Sequence, residues 1–119
     1  MKKLKAKYVS ASESGGEYFQ VIFEEKRDSL TNYFLIQRAF EFEEDEGPDP
    51  PYLESDEEKL CGHLAFQKVE FDRNRFYIQL ADEEKHDLEV SFDISEENYQ
   101  EVKRLLKIIL TGYDFVKIQ

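Results

Sequence analysis

The tripeptide Cys61-Gly62-His63 is the place in this sequence where a nucleophile and a base come close. Residues two apart on a strand point to the same side, so a thiolate and an imidazole could face one another there. Such a pair also needs a group to orient the base and an oxyanion hole for the intermediate. The simpler reading makes Cys61 a small buried residue and His63 a polar strand residue. Besides these two, His86 is the only other cysteine or histidine in the chain. A structural metal centre needs about four converging ligands, and no CxxC or HxxxH spacing is present. No glycine-rich phosphate loop occurs, and nothing marks out a glycosidase-like pair among the 27 acids. The expectation is a protein without catalytic residues, metal or cofactor.

What the sequence does concentrate is negative charge. "EFEEDEGPDPPYLESDEE", from Glu41 to Glu58, holds ten carboxylates and no base. The whole chain has 27 acids against 16 bases, a net charge of −11; outside this stretch the net charge is −1. Calcium is one candidate ligand. The stretch lacks the D-x-D-x-D-G spacing of an EF-hand loop, however, and Pro48, Pro50 and Pro51 oppose its turn. Two readings stay open. The segment either solvates a small protein or forms a surface for a basic partner. Concentration argues for the second, because solubility does not require ten acids gathered into eighteen positions. Tyr52, beside Pro50 and Pro51, adds an apolar anchor of the kind interfaces use. The expected partner-binding residues are Glu43, Glu44, Asp45, Glu46, Asp49, Tyr52, Glu54, Asp56, Glu57 and Glu58.

The elements that must carry this segment are mostly strands. A first strand is expected near Leu4–Val9, with Lys3, Lys5 and Lys7 forming a row that suits a solvated face or a guarded edge. Gly15 and Gly16 form a turn before "EYFQVIFEE", where Phe19, Val21 and Phe23 make a uniformly apolar face. "YFLIQRAFEF" (Tyr33–Phe42) is partly apolar on both faces, with Arg38 interrupting one of them, as fits a central strand covered on each side; a buried helix is the competing assignment. Phe66–Phe71, Phe76–Leu80 and Leu88–Ile94 read as a meander, with turns at Asp72–Asn74 and Asp82–His86. The period then changes. Ser95 is placed to cap a helix, Glu96 and Glu97 suit its positive end, and Tyr99, Val102, Leu105, Leu106 and Ile109 form a stripe. Gly112 is placed to end it, and "YDFVKI" closes the chain as a strand. The predicted class is α+β: a largely antiparallel sheet of about six or seven strands, one long C-terminal helix packed on a face, and a closing strand. The acidic stretch falls in a connection, roughly residues 43–60, longer than the ~12–15 residues at which an unstructured loop becomes unusual. "YLES" is the candidate for a short strand inside it.

At 119 residues, the chain reads as one domain, 1–119, large enough for a core without disulfides. A lone cysteine suits a reducing compartment. "MKKLKAKYVS" lacks the apolar run of a signal peptide, and no stretch approaches the ~20 apolar residues of a membrane helix. The expectation is a cytoplasmic protein that contacts neither nucleic acid nor membrane, given its sequence pI of about 4.6. Its aromatics recur at strand and helix periods, so they read as core and not as a base-stacking platform.

"YFLIQRAFEF", "CGHLAFQKVEFDRNRFYIQL", "LEVSFDIS" and "NYQEVKRLLKIILTGYDF" together resemble the bacterial immunity protein 10 family. The shared pieces are an aromatic-led strand reading "QRA", a glycine just before a strand, an "SFD" strand running into an acid-capped helix, and the ending "GYD". They cover roughly Tyr33 to Phe115. The resemblance implies a non-enzymatic inhibitor, encoded beside a secreted polymorphic toxin, that binds the toxin and blocks its active site or an adjacent surface. Many such toxins are nucleases with basic clefts, so Glu41–Glu58 would mimic the charge of their substrate. The family offers no binding residues to carry over. Two other classes remain: a cytoplasmic adaptor or structural subunit that self-associates, for which a homodimer is the natural form, and an enzyme using Cys61 and His63, whose thiol would react at neutral pH.

Overall fold

Alternating burial marks most of the regular elements as strands. The protein was analysed as a computed structural model, which describes residues 1–14, 17–27, 31–39 and 50–119. Strands β1 (Lys2–Ala6) and β2 (Tyr8–Ser14) open the chain, followed by β3 (Tyr18–Glu24) and β4 (Tyr33–Ala39). Next come β5 (Tyr52–Ser55), β6 (Gly62–His63), β7 (Phe66–Phe71), β8 (Arg75–Leu80) and β9 (Asp87–Phe92). Helix α1 (Glu96–Ile109) and strand β10 (Val116–Ile118) complete it. The architecture is α+β, but the expected six or seven strands become ten among the described residues, in two five-stranded sheets. The first sheet runs β1-β9-β8-β7-β10 and the second β2-β3-β4-β5-β6. Two pairings, β1 with β9 and β10 with β7, are parallel.

The extra strands have identifiable origins. The stretch expected as one strand near Leu4–Val9 divides at Lys7, whose N–H donates to the Glu24 carbonyl at 2.9 Å. Before Lys7 the buried residues are Leu4 and Ala6; after it comes Val9. The buried set thus moves from even to odd positions as the strip leaves one sheet and joins the other, the way sandwich corners are made. Lys3 and Lys5 stay exposed on an edge strand, as the lysine row suggested. "YLES" does form a strand, β5, and Gly62–His63 adds a short sixth.

The inner faces of the two sheets meet in an aromatic layer. Phe23 of β3 stacks on Phe76 of β8 at 5.2 Å and on Phe92 of β9 at 5.8 Å, and Phe34 of β4 lies 5.7 Å from Phe76. The helix begins where expected: the Asn98 N–H donates to the Ser95 hydroxyl at 3.1 Å, satisfying one of the open amides of the first turn. Its predicted stripe of Tyr99, Val102, Leu105, Leu106 and Ile109 is wholly buried. The helix lies on the inner side of β2, β3 and β4. Asn98 Nδ2 donates to the Val9 carbonyl at 2.9 Å, and Arg104 reaches Glu13 at 2.7 Å. Tyr99 also stacks on Phe71 of the first sheet at 5.5 Å. Gly112, at φ +97, turns the chain back toward β10. No helix among the described residues is long and apolar enough to cross a membrane.

Strand β4 corrects another expectation. It is central in its sheet, but covered on one side only among the described residues. Phe34, Ile36 and Arg38 face the core, while Tyr33, Leu35, Gln37 and Ala39 are half-exposed on the opposite face. Arg38 reaches across to donate to the Thr111 carbonyl at 3.2 Å. The predicted end of this strand, Phe40–Phe42, lies outside the described residues.

Candidate functional site

Two sheets packed face to face leave two outer faces, and these differ in character. On the first sheet, charges of both signs interleave and pair. Arg75 Nε lies 3.0 Å from Glu89 and Nη1 3.2 Å from Glu70, with the guanidinium 4.9 Å over the Tyr77 ring. Tyr77 in turn donates to Asp87 at 2.8 Å. These pairs neutralise Arg75 and its two carboxylates.

The second sheet is different. Cross-strand register aligns Tyr8 with Glu24 and Tyr33, Ile22 with Leu35 and Glu54, and Gln20 with Gln37, Tyr52 and His63. Tyr8 and Tyr18 are 37% and 39% exposed, among the most open large apolar side chains described. The strands contribute no lysine or arginine to this face; Arg27 stands at its rim, 4.8 Å over the Tyr8 ring. On β5, toward one side of this face, Glu54 accepts from two phenols, Tyr33 at 3.0 Å and Tyr52 at 2.9 Å. Burial, reinforced by the bond to the Glu54 carboxylate, pushes the Tyr33 phenol up to about 12. The bond to Glu54 also raises Tyr52, with burial adding to it.

The sequence-predicted residues separate into groups. Glu43, Glu44, Asp45, Glu46 and Asp49 lie outside the described residues. Tyr52 and Glu54 belong to the open face. Asp56 instead holds the fold together: it accepts the Asn32 N–H at 2.8 Å and pairs with Lys2 at 2.8 Å. Asn32 is left-handed at φ +53, a conformation asparagine tolerates, so Asp56 pins a turn and the N-terminal strand together. Burial alone would raise its carboxyl, but the Lys2 ammonium and the Asn32 amide outweigh it and hold the group below the ordinary value of 3.8. Glu57 shares Lys2 at 3.5 Å. Glu58 is exposed and opens a single 3-10 turn, Glu58–Leu60, that plugs Leu60 into the core.

The structure does not join Cys61 to His63. The half-buried Cys61 thiol donates to the Ser55 and Glu57 carbonyls, each at 3.3 Å. His63 Nδ1 instead lies 2.7 Å from the Pro50 carbonyl, to which it donates. Gly62 between them is at φ +118, so this is not a regular two-residue strand spacing. Among the described residues no three His, Cys, Asp or Glu side chains are grouped to hold a metal.

Sequence reasoning overlooked the open tyrosine face because each strand was read singly. Tyr8, Tyr18, Tyr33 and Tyr52 each begin a strand, and that recurrence was the available signal. No curated protein matches the chain. The family model described as immunity protein 10 matches residues 5–101, from within β1 to the second turn of α1. The chain is therefore a member of the immunity protein 10 family.

Proposed function

We propose that this protein neutralises a toxin domain by binding it without chemistry, and that the acidic segment supplies the attraction toward a basic surface. In this reading residues 1–119 act as one cytoplasmic binding domain, free of cofactor and metal. The observation that carries it is the attachment of the segment to the open sheet. Six of its ten carboxylates lie in sequence between Ala39, at the end of β4, and Tyr52, at the start of β5. Both strands contribute to the tyrosine face, so the segment that carries this charge is joined at each end to a strand of that sheet. Asp56 and Glu57 are drawn toward Lys2 and serve the fold first. Glu43, Glu44, Asp45, Glu46, Asp49, Glu54 and Glu58 then carry the charge offered to the toxin. Electrostatic attraction of this kind raises association rates by roughly 10–1,000-fold and falls with salt.

The test uses the toxin domain encoded beside this protein and a variant with Glu43, Glu44, Asp45 and Glu46 changed to their amides. Association should be slower for the variant at low salt and should respond less to added salt, because exposed charges are screened beyond about 8 Å at physiological ionic strength. Identical on-rates and identical salt slopes would leave the segment as a solvated connection. Self-association of the protein alone, with no affinity for the toxin domain, would favour the adaptor reading instead.

A further inference from the structure

The first sheet shows how this protein holds a guanidinium on a sheet surface: Arg75 lies over the Tyr77 ring and bonds the carboxylates of Glu89 and Glu70 on either side. The second sheet carries a related group in other proportions, one carboxylate beside two tyrosines and no guanidinium. Glu54 stands between Tyr33 and Tyr52, with one carboxylate oxygen accepting from each phenol. A carboxylate has about four lone-pair sites, so two such bonds leave capacity for a bidentate guanidinium. No arginine or lysine of the described residues pairs with Glu54. Ile22, Leu35 and Gln37 surround the group, half-exposed, and Tyr18 lies further along the face.

We propose that the outer face of the second sheet, around Glu54 between Tyr33 and Tyr52, is the docking surface for the toxin and receives an arginine from a basic patch of it. The inference rests on the toxin-binding reading above and assigns it a surface. Three physical features favour this occupant. The strands of this face bring carboxylates and no cations, so it complements a basic surface. Arginine both stacks on tyrosine and pairs bidentately with carboxylate, which suits this group better than lysine would. Tyrosine supplies large, rigid contact area beside polar atoms, and interface cores are enriched in it. The outer face of the first sheet lacks these features, because its own arginine already pairs with Glu89 and Glu70.

The test measures dissociation of the same purified toxin domain from three variants that each make the net charge one unit more positive. Glu54→Gln removes the central charge while keeping an acceptor for the tyrosines. Gln37→Lys places a cation beside Tyr52, its neighbour across the strands. Glu83→Gln makes the same change in net charge in the exposed turn between β8 and β9. Thermal melts of each variant check folding, and the polar, half-exposed Gln37 site covers the case in which Glu54→Gln does not fold. Glu54→Gln and Gln37→Lys should dissociate at least about tenfold faster, the usual signature of a lost contact pair. Glu83→Gln should stay within about twofold of wild type on the same scale. Equal dissociation for all three variants, with tight wild-type binding, would overturn this surface and leave the toxin-binding reading standing. A wild-type dimer dissolved by Gln37→Lys, with toxin affinity unchanged, would overturn it in favour of a second copy of this chain. Failure of the wild-type protein to bind the toxin domain would remove both readings together.

Discussion

Phe23→Ala offers the sharpest test of how the two sheets are joined. Phe23 is fully buried on β3 and meets Phe34, Phe76 and Phe92, with ring centroids at 6.4, 5.2 and 5.8 Å. Two of those partners belong to the opposite sheet. Emptying a buried aromatic site costs about 3–5 kcal/mol, set by how far the surroundings collapse into the space. Collapse here would require one sheet to move toward the other, which the shared ring contacts resist, so the upper half of that range is expected. With a urea m-value of about 2 kcal/mol per molar, a loss of about 4 kcal/mol lowers the midpoint by about 2 M. Gln20→Ala, on the same strand but the opposite face, should change stability by no more than about 0.5 kcal/mol. The assay is equilibrium urea unfolding of both variants. A Phe23→Ala midpoint within about 0.5 M of wild type at unchanged m would mean that the sheets do not meet through this ring.

Asp56→Ala should cost about 1.5–3 kcal/mol at neutral pH, because it removes hydrogen bonds made to a charged group. The folded-state pKa of Asp56 is depressed, so its contribution is present above the ordinary carboxylate value of 3.8 and is lost as pH falls through the lower folded value. Denaturation curves of the two proteins should therefore converge in acid, and a difference that persists there would contradict the Lys2–Asp56 pairing. Ultraviolet titration should find the Tyr33 phenol ionising near 12 and falling in Glu54→Gln; an ordinary value in wild type would refute the tyrosine–carboxylate bond. Cys61→Ser keeps a donor for the Ser55 and Glu57 carbonyls and, on the toxin-binding reading proposed above, should protect cells as well as the wild-type protein. Loss of protection by a folded Cys61→Ser protein would indicate a thiol-dependent role.

The sequence alone determined the local pieces. Alternation identified the apolar face of β3 and the meander of β7, β8 and β9, and the change of period after Ile94 located the helix, its serine cap and its five-residue buried stripe. The concentration of acids singled out one segment, and short strand and helix motifs pointed to the family that residues 5–101 match. Each of these is a short-range property, set by which side of one element is apolar. Tertiary structure decided what short-range patterns cannot encode. Period two reports that a strand has a buried face, but not which sheet the strand joins, so the division of the N-terminal strip at Lys7 was visible only once β1 had paired with β9 and β2 with β3. Charge density likewise cannot distinguish a carboxylate offered outward from one held inward. In sequence Asp56 looks like its acidic neighbours, but Lys2 and Asn32, both distant in the chain, hold it in the fold. The open face around Glu54 arises in the same way, because its tyrosines come from different strands and become one surface only when cross-strand hydrogen bonds bring them into register.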